Sequence, residues 1–140
     1  MSRHAEVRSW PRVDVALTFF SAQLTVDEMT EIAGLVPDIA APAFFTRWGS
    51  STERPTSIYG LAESLDSVDD VGAVVERLIA RAVAAQGIVA LGQRSDDAVL
   101  SIAFYLLEAS EGCPAVEING QIVLFLSDLG INIHLAVYRG

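Results

Sequence analysis

Two histidines, one cysteine and two adjacent aspartate pairs are the residues of this 140-residue chain whose types could do chemistry. Nucleophilic catalysis needs a nucleophile with a base in hydrogen-bond reach, and only His4 and His134 supply an imidazole. His4 falls in an N-terminal stretch that reads as a flexible tail. His134 falls in the alternating run Ile131-Asn132-Ile133-His134-Leu135-Ala136-Val137-Tyr138. There it shares a strand face with Asn132 and Tyr138, opposite Ile131, Ile133, Leu135 and Val137. A half-exposed strand histidine with a satisfied hydrogen bond is the ordinary outcome at such a place, and a general base working with a nearby carboxylate is the sharper alternative. Cys113 sits in the turn Glu111-Gly112-Cys113-Pro114. Glu108, Glu111 and Glu117, if near it in space, would raise the thiol pKa and work against a reactive thiolate.

The acidic pairs Asp69-Asp70 and Asp96-Asp97 stand at a helix start and at a turn, where carboxylates ordinarily accept from backbone amides. They lack a histidine or cysteine companion and the spacing of a calcium loop, so no metal is expected. Gly87 and Gly92 lack the strand-turn-helix setting and the following lysine of a phosphate loop. No cofactor is expected, and no residue is assigned a catalytic role.

These side chains must be positioned by one domain of ordinary size, because 51% hydrophobic against 19% charged residues is enough to bury a continuous core. The net charge is -9. Arg3, Arg8 and Arg12 against Glu6 leave a net +2 on residues 1–12, so residues 13–140 carry -11. The expectation is a flexible basic tail at 1–12 and a single α+β domain at 13–140. An acidic body repels phosphates over roughly 10 Å at ordinary salt, which disfavours nucleic acid and anionic membranes and favours a basic protein partner. The first twelve residues lack the apolar core of a secretory signal, no stretch approaches the ~20 apolar residues of a membrane span, and one cysteine cannot form an internal disulfide. A cytoplasmic protein is expected. Nothing in the sequence sets the oligomeric state.

Along the chain, Val13 to Phe20 alternates as a strand. Thr25-Val26-Asp27-Glu28 is a capping box that opens a helix stopped by Gly34. Pro37, Pro42 and Pro55 break the stretch 36–55, a long loop carrying Phe44, Phe45 and Trp48. Thr56 to Ala62 reads as a strand, and Ser67 begins a helix with Val71, Val74, Val75, Leu78, Ile79, Ala82 and Val83 at helical spacing. Val99 to Leu107 alternates as a central strand. Residues 116–129 fit either a hairpin at Asn119-Gly120 or a helix capped by Asn119, and the helix is preferred. The expected fold is α+β: a single mixed or mainly antiparallel sheet of four to five strands with three helices largely on one face.

That element order resembles the domain of unknown function 4279 family over residues 13 to 138. The pieces that carry it are Leu24 to Leu35, the helix after the first strand, and Leu126 to Tyr138, with Leu129-Gly130 and Ile133-His134-Leu135 ahead of the terminal tyrosine. The family has a tryptophan where Tyr59 stands here, and the loop from Pro37 to Pro55 does not align. The resemblance implies a fold and a helix at Gln121 to Leu129; it implies no activity.

If the strands lie side by side, the face away from the helices displays Thr18, Tyr59, Ser101, Tyr105, Asn132, His134 and Tyr138, with Ala16, Ala103 and Ala136 between them. Tyrosines offer apolar area with a polar tip at low entropy cost, as recognition surfaces require. The alternative is that the 36–55 loop, with Phe44, Phe45 and Trp48, folds over this face and completes a second core layer. With Trp48 of the loop, Tyr59, Ser101, Tyr105, Asn132, His134 and Tyr138 are the candidate binding residues. The expected function is noncatalytic recognition of another protein, in an immunity-like or regulatory role. The alternatives are a small-molecule pocket under the 36–55 loop and an enzyme using His134 with a carboxylate.

Overall fold

The computed structural model describes residues 11–41, 56–67, 70–107 and 116–139. In chain order these form β1 (Arg12–Ser21), α1 (Val26–Ala33), β2 (Ile39–Ala41), β3 (Ser57–Leu65), α2 (Val71–Ala84), α3 (Ile88–Arg94), β4 (Asp97–Leu106), α4 (Gly120–Asp128) and β5 (Asn132–Arg139). The strands make one sheet in the order β2-β3-β1-β4-β5. All neighbours are antiparallel except β4 and β5, which are parallel. The fold is therefore α+β with a single mixed sheet. Four helices occur among the described residues, where three were expected.

Period-two alternation in β1 sets the two sides of this sheet. Val13, Val15, Leu17 and Phe19 are fully buried, and directly paired residues share a face. The pairing adds Tyr59 and Leu61 from β3 and Ala98, Leu100, Ile102 and Phe104 from β4 to that apolar face. The buried residues of all four helices join the same cluster: Met29 and Ala33 of α1, the Val71 to Ala82 stripe of α2, Ile88 and Leu91 of α3, and Leu126 of α4. The described helices thus pack on one side of the sheet.

Local chemistry explains where the helices begin. The Thr25 hydroxyl accepts from the Glu28 amide at 3.1 Å while the Glu28 carboxylate accepts from the Thr25 amide at 2.9 Å, and these bonds hold the Glu28 carboxyl below its usual value. Gly34 ends α1 at φ 73°, a left-handed turn that residues with a side chain resist. In α2 the cap is Asp70, which accepts from the Ala73 amide, so the helix starts at Val71 and not beside Ser67. Asn119 accepts from the Gln121 amide at 2.7 Å, and the apolar Leu126 faces the core with Ile122, Phe125 and Leu129 around it. Helix, not hairpin, is the outcome for this segment.

Two elements were not expected. β2 is three residues long, at the start of the proline-rich excursion, and pairs with β3 at Gly60, Tyr59 and Ile58. α3 has seven residues, with Gly92 inside it and no side-chain cap, so its local signals are those of a loop. It forms because Ile88 and Leu91 are buried and because Gly87 lets the chain pass close to α1. A Cβ at Gly87 would collide with the Ile32 carbonyl oxygen and lie 2.7 Å from that of Ala33.

An ionic cluster ties α2 to the β2 side of the sheet. Arg81 contacts Asp38 at 2.6 Å and Glu63 at 2.9 Å and donates to the Ala62 carbonyl, while Asp38 also accepts from the Ala62 amide. Partial desolvation pushes Asp38 upward, but the Ala62 amide and the Arg81 guanidinium outweigh it and hold the carboxyl below its ordinary value.

Gly87→Ala is expected to destabilise by about 2 kcal/mol or more, because the collision is with backbone that cannot rotate away; equal urea midpoints for the variant and the parent would contradict the packing of α1 against α3. Asp38→Asn is expected to cost under about 1 kcal/mol at neutral pH, since the pair is only partly buried. A depressed folded pKa stabilises above the unfolded carboxylate's value of about 3.9, and the effect fades as pH falls through the lower folded value. Unfolding curves of the two proteins should therefore converge on acidification, and a gap that widened instead would reverse the sign assigned to Asp38.

Candidate functional site

The polar face of the sheet is built in rows, because paired residues on β1, β4 and β5 stand side by side. The first row is Arg12, Tyr105 and Tyr138; the second Asp14, Ala103 and Ala136; the third Ala16, Ser101 and His134; the fourth Thr18, Val99 and Asn132. Rows two residues apart on a strand are separated by about 7 Å. Of the described residues of this face only Val99 and Gly60 are buried, and Asn132, His134 and Tyr138 are exposed.

The first row is a ridge. Tyr105 and Tyr138 stack with ring centroids 5.0 Å apart at 15°, and the Arg12 guanidinium carbon lies 4.1 Å from the centre of the Tyr105 ring. Arg12 is held from its other side by Asp14 at 3.3 Å, and Asp14 in turn accepts from the Ser64 hydroxyl at 2.8 Å. A planar cation clamped between a carboxylate and an aromatic ring keeps the three large side chains of the ridge aligned. Beside it, Ala103 and Ala136 leave a shallow trough with Asp14 at one end. His134 and Ser101 form the far bank.

Of the candidate residues, Ser101, Tyr105, Asn132, His134 and Tyr138 share this face, as expected. Tyr59 does not. It pairs with Phe19 and Ala40, lies wholly in the core, packs its ring 6.3 Å from that of Phe19 and donates its hydroxyl to the Leu35 carbonyl. Burial pushes its phenol pKa up. The tyrosine is drawn inward because this polar tip finds a partner where α1 hands over to β2, so the aromatic body can fill the core without stranding its oxygen. Trp48, Phe44, Phe45, Cys113, His4 and Asp69 lie outside the described residues, as does the loop segment 42–55.

Arg12 and Asp14 were missed. Arg12 was assigned to the tail, yet it is the first residue of β1 and has the same parity as Asp14, Ala16 and Thr18. Extending the alternation by one residue would have found it.

An enzyme built on His134 finds little support in the geometry. Among the described residues the carboxylates on its face are Asp14, two strands away, and Asp97, four residues along β4 from Ser101, and strand spacing and strand rise put them about 10 Å or more from His134. Three of the paired aspartates serve the backbone: Asp96 accepts from the Ala22 amide at 2.6 Å, Asp97 from the Ala98 amide, and Asp70 caps α2. Among the described residues no three His, Cys, Asp or Glu side chains gather as metal ligands. A cleft of about 700 Å³ opens where α2 and α4 begin, walled by Asp70, Gly72, Glu76, Glu117 and Asn119, among others, on the helix side and away from the polar face. None of the described helices is long and apolar enough to cross a membrane. Searches of protein families, of curated proteins and of solved structures find no match to this chain.

The division between core and face predicts different costs for removing two tyrosine hydroxyls. Tyr59→Phe should lower stability by about 1 kcal/mol through loss of the Leu35 hydrogen bond, whereas Tyr138→Phe, about half exposed, should stay within about 0.5 kcal/mol of the parent. Chemical denaturation checks both, and a reversed order would misplace the two residues.

Proposed function

We propose that this chain is a noncatalytic recognition domain that binds another protein through the polar face of its sheet, in an immunity-like or regulatory role in the cytoplasm. The observation that carries the reading is the Arg12, Tyr105 and Tyr138 ridge beside the alanine trough. A pre-aligned aromatic pair with an arginine gives up little side-chain entropy on binding, and such residues dominate the energetics of protein interfaces. His134, Ser101 and Asn132 add hydrogen-bonding groups along the opposite bank. The net charge of -9 steers basic partners toward the molecule. Kinship with the domain of unknown function 4279 family belongs to the same proposal, resting on Leu24 to Leu35 and Leu126 to Tyr138, and it supplies a fold without an activity.

The test is capture of partners from a lysate of the source organism with the tagged chain, followed by native mass spectrometry, using the parent protein and a Tyr105→Ala, Tyr138→Ala double variant. A stoichiometric protein partner that binds the double variant at least about tenfold more weakly supports the face. The same partner held at unchanged affinity by a folded double variant refutes it. A small molecule retained in place of any protein would favour the pocket reading.

A further inference from the structure

The two edges of the sheet are unlike. At one edge β2 is three residues long, the short form in which edge strands are normally kept. At the other, β5 runs eight residues in unbroken register with β4, from Val99 opposite Asn132 to Leu106 opposite Arg139, with no bulge, proline or lysine to blunt it. Among the described residues nothing pairs with its outer edge. Residues on both faces of the strand are exposed. On the helix side Ile133, Leu135 and Val137 are 41%, 61% and 52% exposed, and on the polar side Asn132, His134 and Tyr138 are exposed. A long flat apolar edge of this kind is a template for another strand.

We propose that the occupant is a second copy of this chain, with β5 pairing antiparallel to β5 about a twofold axis through Leu135. Three features of the strand select a copy of itself. First, its apolar set is centred on Leu135, so this register places Leu135 against Leu135 and Ile133 against Val137 of the second copy. Second, the same register pairs Asn132 with Tyr138 and His134 with Ala136 on the polar face, engaging seven residues on each side. Slipping by one residue would set apolar against polar faces, and slipping by two toward the C-terminus would set Ile133 against Arg139. Third, residues 129–140 carry no acidic side chain in a chain of net charge -9, so the seam lacks the like charges that would otherwise keep two copies apart. Seven paired residues a side is a small interface, at or below the low end of the roughly 1,200–2,000 Å² of stable complexes, so a dissociation constant on the order of micromolar is expected. The pairing joins the two sheets into one and sets the two tyrosine ridges on a single continuous polar face. It goes beyond the recognition reading and does not depend on it.

Sedimentation velocity of the full chain across concentration tests the seam. The expected result is a concentration-dependent dimer of the 15.0 kDa chain that tightens as salt screens the acidic bodies. Leu135→Lys, at a side chain already exposed in the single copy, should fold with an unchanged urea midpoint at concentrations well below the dimer's dissociation constant and dissociate at least about tenfold more readily. In a Cys113→Ser background, Leu135→Cys should cross-link to its own copy under mild oxidation far faster than Ile133→Cys, because only position 135 faces itself across the axis. A monomer at about 100 µM, or a dimer unaffected by Leu135→Lys, would overturn the proposal.

Discussion

The rest of this structure follows from what β1 must do at the centre of the sheet. It is paired on both sides, and its four residues Val13, Val15, Leu17 and Phe19 have no exposure at all. A strand so placed cannot slip by one residue without driving Arg12, Asp14 and Thr18 into the core, so its register is settled by burial. The registers of β3 and β4 follow by pairing, and that of β5 follows from β4. The ridge and trough on the polar side are therefore by-products of apolar packing on the other. Arg12 meets Tyr105 because Val13 must meet Phe104.

Charge plays a secondary part on the other half of the molecule. Arg81 reaches from α2 to Asp38, Glu63 and the Ala62 carbonyl, linking the helix layer to β3 and to the chain entering β2. The groups are partly exposed, so the cluster adds orientation more than stability. It fixes where the short β2 edge lies, while Tyr59 fastens the same region from beneath through its hydroxyl on Leu35.

Alternation made β1, β4 and β5 legible from residue types, and the capping box made α1 legible, because in each case one local signal dominated. Tyr59 was misplaced because Ile58, Tyr59, Leu61 and Ala62 are apolar on both parities, and alternation cannot choose a face in such a strand. The hydroxyl's distant partner at Leu35 made the choice. α3 was hidden because its formation rests on contact, namely the burial of Ile88 and Leu91 and the approach at Gly87, and glycines at both 87 and 92 argue locally for a loop. Of the binding face, the strand parity of Ser101, Tyr105, Asn132, His134 and Tyr138 was readable, but the clamp of Arg12 between Asp14 and Tyr105 was not. It depends on the β1 to β4 register, which links residues more than 90 positions apart. Nor could alternation show that Ile133, Leu135 and Val137 on the apolar side of β5 are exposed.

Under the proposed recognition role, contact falls on the face that carries the stacked tyrosines and Arg12, opposite the helix-packed core. The claim is tested most directly by mapping amide and side-chain NMR shifts of the chain on titration with its captured protein partner. The account predicts that the largest changes fall on Arg12, Ser101, Tyr105, His134 and Tyr138 and their row neighbours. Changes confined to the outer surfaces of α1, α2 and α3, with these rows undisturbed, would contradict it.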